Sequence, residues 1–580
     1  MSRLKSLRKI HFLYFSALLI SLVMITSTAL ALQPLNQNQS EKLNIVSNNK
    51  YTPGFQIDQQ ANQQYKGHNF DNYQTGNNQV SPNVQVNAPQ QFYPNGLIGD
   101  SETTITAVKD GKDLVAGFND AQGFCGAPYG TNLICPPAGG LSGYAYSTDG
   151  GKTWTDGGAP PMFNGVFSRG DPWLASSGNT VYYANLVVNN ETGNSLGVGV
   201  WRGHFTREGG FVWTDVHTMD SPLNAISPGA DFYDKDSMSV SGNNVYITIT
   251  NFQEICGIPE FGFGTITLWA SHDGGNTWSG PTVVSPDQSF IHNSNNSQCG
   301  LTGSVQQGSV SAVGPQGQVY VSWVKGPTYF TNSISPISQI MEATSFNGGR
   351  SFGKPVVVAA YNSAAYDAPV DFNRATILDS PRIAVTSSGL YAGRVYVSYF
   401  GAVTPNHNFN TSQQNLISTQ IYLKYSDNFG RTWHTVYNIV PPVPQTTVKQ
   451  FWPVVVTGQD GNVNIVYYQS IENPATSNSY CAMPLDNGGT RAGYAHSLVD
   501  TYMVTSNNGG FSFSAPIRVS SVTTDWCNVY WNIYPNMGDY IGAAAAGNQV
   551  FAVWADGRNG IPDTFFASIQ VNDALFSHNF

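Results

Sequence analysis

Charged side chains make up only 11% of this 580-residue chain, so the places where carboxylates and arginines stand close together are few. Arg169 lies two residues before Asp171, and Asp236 follows Asp234 by two. Asp379 stands three before Arg382, Asp539 precedes Tyr540, and Asp556 is two before Arg558. Most of these groups open an apolar, strand-like run or close one. Asp171, Asp539, Tyr540 and Asp556 are the candidates for acid–base or nucleophilic work, since paired carboxyls and a phenol are groups that transfer protons or attack. Arg169, Arg382, Arg558, Asp236 and Asp379 are the candidates for binding. The competing reading is structural: hydrogen-bonded caps hold the strand starts in register, and Arg–Asp pairs satisfy one another. Asp231, Asp234 and Asp236 also offer oxygens to calcium, although they lack the full D-x-D-x-D-G loop. No cofactor is required by any motif, and calcium is the one candidate.

The elements that must position these groups are visible as a repeat. Ser147-Thr-Asp149-Gly-Gly151-Lys-Thr153-Trp154 has the pattern S-x-D-x-G-x-T-W, and it returns at Ser271 around Asp273. Further copies stand at Ser345 around Asn347, at Ser426 around Asn428 and at Ser506 around Asn508, with a degenerate one at Thr206 around Glu208. The Asp or Asn can accept backbone N–H groups across a tight turn, the glycine tolerates positive φ, and the last aromatic can anchor the hairpin. A turn-capping role for these acids is therefore favoured over a catalytic one. Strand-like runs flank every copy, and a second two-strand unit with a Gly-Asn or similar polar turn lies between copies. Two strands plus the repeat hairpin make a four-stranded antiparallel blade. Blades at this spacing predict an all-β propeller, with seven blades expected and six the alternative. A strand from the N-terminal side, within 84–93, would complete the last blade.

These hairpins resemble the Asp boxes, or bacterial neuraminidase repeats, of the sialidase superfamily. The resemblance covers roughly residues 100–572, and includes Gly538-Asp539-Tyr540 and Trp554-Ala-Asp556-Gly-Arg558. It implies a secreted exo-alpha-sialidase-like protein that acts on a terminal acidic sugar of a glycan or glycoprotein. The resemblance further implies three arginines for the substrate carboxylate, a tyrosine nucleophile helped by a glutamate, and an aspartate acid/base. The chemistry is consistent, because arginine offers a carboxylate a bidentate fork and a nearby carboxylate assists loss of a phenolic proton whose usual pKa is about 10. The chain departs from that pattern: no F/Y-R-I-P segment precedes the first repeat, and no arginine stands between Arg8 and Arg169. Arg382, in Ser-Pro-Arg-Ile-Ala, has a similar apolar setting later in the chain. A non-catalytic extracellular propeller that binds glycan or protein is the alternative.

The remaining features bound the setting. A net charge of −10 argues against nucleic acid as a partner, since phosphate contacts need a basic stripe. Residues 1–31 read as a signal peptide, with Arg3, Lys5, Arg8 and Lys9 before an apolar run and Ala29-Leu30-Ala31 after it; an uncleaved anchor is the alternative. No other run is apolar enough to span a bilayer, so the mature chain is expected to be extracellular, without a transmembrane domain, and monomeric. Residues 32–97 are an Asn- and Gln-rich flexible segment, 98–572 the propeller and 573–580 a tail. Six cysteines in an exported chain suggest three disulfides. Chain proximity pairs Cys125–Cys135, Cys256–Cys299 and Cys481–Cys527, although other pairings stay open. No G-x-S-x-G, H-E-x-x-H or phosphate-loop motif occurs.

Overall fold

The computed structural model describes residues 79–90, 98–121, 140–163, 166–189, 195–220, 231–253, 264–285, 306–326, 337–365 and 367–369, 372, 377–404, 417–444, 447–458, 461–474, 494–529 and 536–571. The proposed signal segment, the C-terminal tail, and Cys125, Cys135, Cys256, Cys299 and Cys481 lie outside these residues. Cys527 is disulfide-bonded, and its expected pairing with Cys481 therefore goes untested.

The chain folds as antiparallel β-meanders set around a ring. The first sheet comprises Asp100–Val108, Asp113–Asp120, Ser142–Ser147 and Thr155–Gly158. The second comprises Val166–Ser177, Thr180–Asn189, Ser195–Phe205 and Phe211–Asp220; the third Asp231–Ser241, Asn244–Gln253, Gly264–Ser271 and Ser279–Val283. The fourth comprises Gln306–Val313, Val319–Lys325, Ile337–Ser345 and Val356–Asn362. A closing sheet joins Gly542–Ala546, Gln549–Asp556 and Asp563–Gln570 to two short N-terminal strands, Gln79–Val80 and Val84–Gln85. Val84 pairs with Phe566 and Gln79 with Gln570, so the ring is closed by strands from both ends of the chain, as the 84–93 expectation anticipated. Both strands lie within the Asn/Gln-rich segment.

The blade count needs correcting. Five sheets stand as separate blades, where seven, or six, were expected. The other strands form one nine-stranded sheet built of two meanders, Arg382–Val385 to His434–Val436 and Val448–Thr457 to Thr524–Asp525. A single parallel pair, Thr419 with Lys449, couples them. The Thr419 hydroxyl reinforces it by donating to the Gln450 carbonyl at 2.8 Å, as does the Ser418 hydroxyl by accepting from the Val448 amide at 3.0 Å. The ladder therefore runs through a boundary that elsewhere separates sheets.

First strands line the inside. Asp100–Val108 packs against Val166–Ser177, which meets Asp231–Ser241, which meets Gln306–Val313. The ring continues through Arg382–Val385 and Val448–Thr457 to Gly542–Ala546, which returns to Asp100–Val108. The apolar cores lie between neighbouring sheets, as with Val115, Tyr183, Trp201 and Phe211 between the first and second. Burying four such side chains stabilises the contact by roughly 1.5–3 kcal/mol each. This is why one aromatic-rich face per strand recurs along the sequence.

The repeat turns are built as expected. The Asp149 carboxylate accepts from the Ser147 hydroxyl (2.8 Å), the Thr153 amide (3.0 Å) and the Thr153 hydroxyl (2.7 Å), while Trp154 Nε1 donates to the Gly151 carbonyl at 3.2 Å. Asp273 repeats this set. Asn347, Asn428 and Asn508 keep it with their amide donating to the hydroxyl, at 2.8 Å in each. The degenerate copy differs. Thr206 alone closes that turn by accepting from the Gly210 amide at 3.1 Å, and Glu208 stays exposed outside it. Val212 supplies no hydroxyl there, and Glu208 is one methylene too long for the acceptor's place.

Candidate functional site

The inner ring carries a local irregularity that places side chains together. In the first strands the pairing register shifts between Ser101 and Thr104, between Gly170 and Trp173, and between Asp234 and Ser237. These are β-bulges, which bend a strand and re-aim the bulged residue. The residue at each bulge has positive φ: Glu102 at 52°, Asp171 at 56° and Lys235 at 51°. The left-handed region costs a non-glycine residue roughly 1–2 kcal/mol. Three charged residues in successive sheets adopt it at the equivalent place, which Gly308 (66°) and Trp452 (46°) take in later sheets, so the bulge belongs to the inner strands of the ring and the charged side chains are what distinguish these three.

Their side chains converge. Lys235 Nζ lies 3.0 Å from a Glu102 oxygen, 2.9 Å from Asp171 Oδ2 and 2.9 Å from Asp539 Oδ2. Asp539 comes from the segment leading into Gly542–Ala546, one ring position before Glu102. Asn119 orders the group from behind, donating to Glu102 at 2.5 Å and accepting from the Asp171 amide at 3.0 Å. Gly538 packs so closely on Glu102 that a Cβ there would collide with the Glu102 backbone nitrogen and Cγ. The carboxylates are buried, with Glu102 2% exposed and Asp539 1%, and the Lys235 side chain is nearly so.

Burial and mutual charge divide the carboxyls. Burial, reinforced by the Asp171 charge, pushes Glu102 well above the usual carboxylate range. Burial also raises Asp171, but the Lys235 ammonium and a hydrogen bond from Glu102 outweigh it and hold Asp171 below its ordinary value. Glu102 thus holds its proton more tightly than Asp171 does. Burial lifts Asp234 to about 7, with the nearby Lys235 opposing and Asp171 assisting. Burial, with the Asp171 charge close by, pushes Asp236 well above the usual carboxylate range as well. For Lys235 burial works against the ammonium, yet Asp171, Asp539 and Glu102 together hold it charged well past the usual lysine range. Carboxyls of different protonation state held a few ångströms apart are suited to proton transfer.

Beside the cluster stands a wall of rings. The Arg382 guanidinium lies 4.9 Å from the Trp173 ring centre and 5.1 Å from that of Tyr540, the geometry of a cation–π contact. Burial lowers Arg382 to about 10. The Tyr540 hydroxyl donates to the Pro172 carbonyl at 3.0 Å. Burial, then the charges of Glu102 and Asp171, push its phenol well above the usual value. Trp173 is partly exposed.

Of the residues singled out in the sequence, Asp171, Asp236, Asp539, Tyr540 and Arg382 come together here. Asp556 and Arg558 pair with each other instead, at 2.9 Å and 2.6 Å. Asp556 also accepts from Trp554 Nε1 at 2.8 Å and from the Thr524 hydroxyl at 3.0 Å; Arg558 lies over the Phe565 ring and reaches Asn83. That set ties the closing sheet to its neighbours. Asp379 accepts from the Ser363 hydroxyl at 3.0 Å and is raised by burial. Arg169 is half-buried beside the Gly170 bulge. Glu102 and Lys235 were missed. Aligning the strand starts Glu102-Thr-Thr-Ile, Asp171-Pro-Trp-Leu, Lys235-Asp-Ser-Met and Gly538-Asp-Tyr-Ile would have placed both at the equivalent position of their sheets. Among the described residues no group of three or more His, Cys, Asp or Glu side chains is arranged to hold a metal ion, and Asp231's side chain lies outside those described. No helix among them is long and apolar enough to cross a membrane.

No protein-family model matches the chain, and no curated protein matches it. Solved structures do. A protein of unknown function from Dyadobacter fermentans is 16% identical with a TM-score of 0.37, covering 73% of this chain and 98% of that one. A mutant α-L-arabinofuranosidase from Fusarium graminearum is 14% identical with a TM-score of 0.39, covering 67% and 92%. A Trypanosoma rangeli sialidase is 10% identical with a TM-score of 0.37, covering 85% of this chain and 59% of its own length. The chain is similar to sialidase-like and arabinofuranosidase propellers at low identity. The propeller architecture itself rests on the ring of sheets described above.

Proposed function

We propose that this protein is an exported glycoside hydrolase of sialidase-like architecture, acting on a terminal sugar of a glycan or glycoprotein from the Lys235 cluster. The observation that carries the reading is the meeting of Glu102, Asp171 and Asp539, from three ring positions, on one ammonium. In this reading Asp171, held ionised, is the nucleophile or charge stabiliser. Asp234, with its pKa near neutrality, is the general acid and then base, as a catalytic acid working near pH 7 requires. Lys235 favours the ionised form of Asp171 inside a buried site and meets Asp539 at 2.9 Å. Trp173 offers a ring face to the sugar, and Arg382 beside it is the group that would meet a carboxylate on an acidic sugar. Tyr540 does not serve as nucleophile in this scheme, because its hydroxyl is committed to a backbone carbonyl.

One observation favours a second reading, a non-catalytic extracellular propeller: Glu102 and Asp539 are almost fully buried and their charges are met within the cluster. A panel of fluorogenic glycosides, neutral and acidic, separates the two. Turnover of any member by the mature protein, lost in Asp171→Asn, supports the hydrolase. A folded wild type that turns over none and still binds glycans supports the binding module.

A further inference from the structure

The ring has a second built surface, at the opposite end. Along Val166–Ser177 the cluster residue Asp171 sits toward one end, and the turn at Gly178 closes the other, about 20 Å away at the rise of an extended strand. The repeat turns share that far end, because the Gly150 amide donates to the Lys112 carbonyl at 2.9 Å and the Gly274 amide to the Asn243 carbonyl at 2.8 Å. A cavity of about 690 Å3 opens there between the fourth sheet and the nine-stranded one. Gln316 and Gln318 line it from one turn, Tyr391 and Arg394 from the next, and Asp427 and Phe429 from a repeat turn. Its volume is that of a site for a small ligand or a few sugar units.

Phe429 is the telling residue. In the other four strong repeats the equivalent position is glycine: Gly150, Gly274, Gly348 and Gly509, at φ of 76°, 73°, 71° and 70°. Phe429 holds the same conformation at 63°, a true outlier for a bulky side chain. A phenyl ring is thus kept, against backbone preference, on the wall of this cavity. It meets the exposed Phe346 ring edge-on at 5.9 Å, and Leu390 nearby is 87% exposed.

The polar groups of the cavity define what it takes. Arg394 spends its guanidinium on Asp427, at 2.6 Å and 2.8 Å, and on the Gly509 carbonyl at 2.7 Å. It is stacked between Tyr391 and Tyr425, at 4.6 Å and 4.2 Å. No cation is left over among the lining residues for an anionic ligand. Asp427 is half-exposed and keeps lone pairs for hydroxyl donors, and Gln316 and Gln318 bring amides already oriented by each other at 3.0 Å. Half-exposed rings with a carboxylate and the exposed Gln316 amide, which buried Gln318 orients, suit polyhydroxylated, uncharged sugars. We propose that this cavity is a binding site for a neutral oligosaccharide, independent of the Lys235 cluster and anchored by Phe429.

The test uses the mature full-length protein in affinity gel electrophoresis with neutral polysaccharides (a β-glucan, a xylan, an arabinan and a mannan) and with polygalacturonate as the acidic control. Phe429→Gly restores the glycine of the sister turns and relieves positive φ, so the fold is kept while the ring is lost. At least one neutral polymer is expected to retard the wild type, with binding by Phe429→Gly about tenfold weaker at an unchanged or raised melting temperature. Tyr391→Ala, which removes a second ring, is expected to weaken it similarly. Retention by polygalacturonate alone, by no polymer, or equally by wild type and Phe429→Gly would overturn the proposal.

Discussion

Asp234 offers a test of the cluster's electrostatics that needs no substrate. Burial raises its pKa to about 7, against about 3.9 in an unfolded chain. The folded state therefore prefers the neutral acid, and folding takes up a proton between those values. The stability this contributes is full below about pH 4 and is lost as pH rises toward 7. Three units at about 1.4 kcal/mol each amount to roughly 4 kcal/mol. Asn cannot ionise, so Asp234→Asn removes this term while keeping the shape. Urea unfolding followed by tryptophan fluorescence at pH 4, 5.5 and 7 should show wild-type stability declining relative to the variant by about 4 kcal/mol across the range. The subtraction isolates Asp234 from Glu102 and Asp236, whose raised values work in the same sense, and from Asp171, which works in the opposite one. Parallel profiles for wild type and Asp234→Asn would show that Asp234 is already ionised in the fold, and the assignment of acid and base would fail with it.

Other consequences follow from the same contacts. Lys235→Met strands Asp171 and Asp539 without their ammonium and should cost about 3–5 kcal/mol at pH 7, shrinking as pH falls and Asp171 becomes protonated; chemical denaturation at pH 7 and pH 4 measures both. Asn428→Ala removes the acceptor that closes its repeat turn and should cost about 1–2 kcal/mol, seen as a lowered unfolding midpoint. Tyr540→Phe loses one hydrogen bond to the Pro172 carbonyl and should leave glycoside turnover within about tenfold of wild type, where a nucleophilic tyrosine would leave almost none.

The parts of this protein that were legible in its sequence are those with local physical causes. The repeat turns depend on contacts within seven residues, Ser147 to Thr153 in the first copy, so residue type and spacing were enough to give Asp149 and Asp273 their capping role. Period-two strands between those turns implied four-stranded blades for the same reason. The separation of sheets was not legible, because one parallel bridge at Thr419 and Lys449 depends on how two distant strands approach. The cluster was half visible: Asp171 and Asp539 stood out as carboxylates at strand starts. Glu102 and Lys235 did not stand out at all, since a bulge leaves little mark in sequence. Only their equivalent position in neighbouring sheets, reached across 133 residues between Glu102 and Lys235, turns them inward. Conversely, Asp556 and Arg558 read as functional because charge is scarce, yet their spacing of two already allowed them to satisfy one another.

The central claim is that the buried carboxyls around Lys235 perform glycoside hydrolysis. Its most direct test is the turnover number of the mature wild type and of Asp171→Asn on whichever fluorogenic glycoside the panel identifies, with folding of both verified by thermal melts. Measurable wild-type turnover is expected, with a loss of about 100-fold to 10,000-fold in the variant. Equal turnover by a folded Asp171→Asn protein would place the chemistry elsewhere and contradict it.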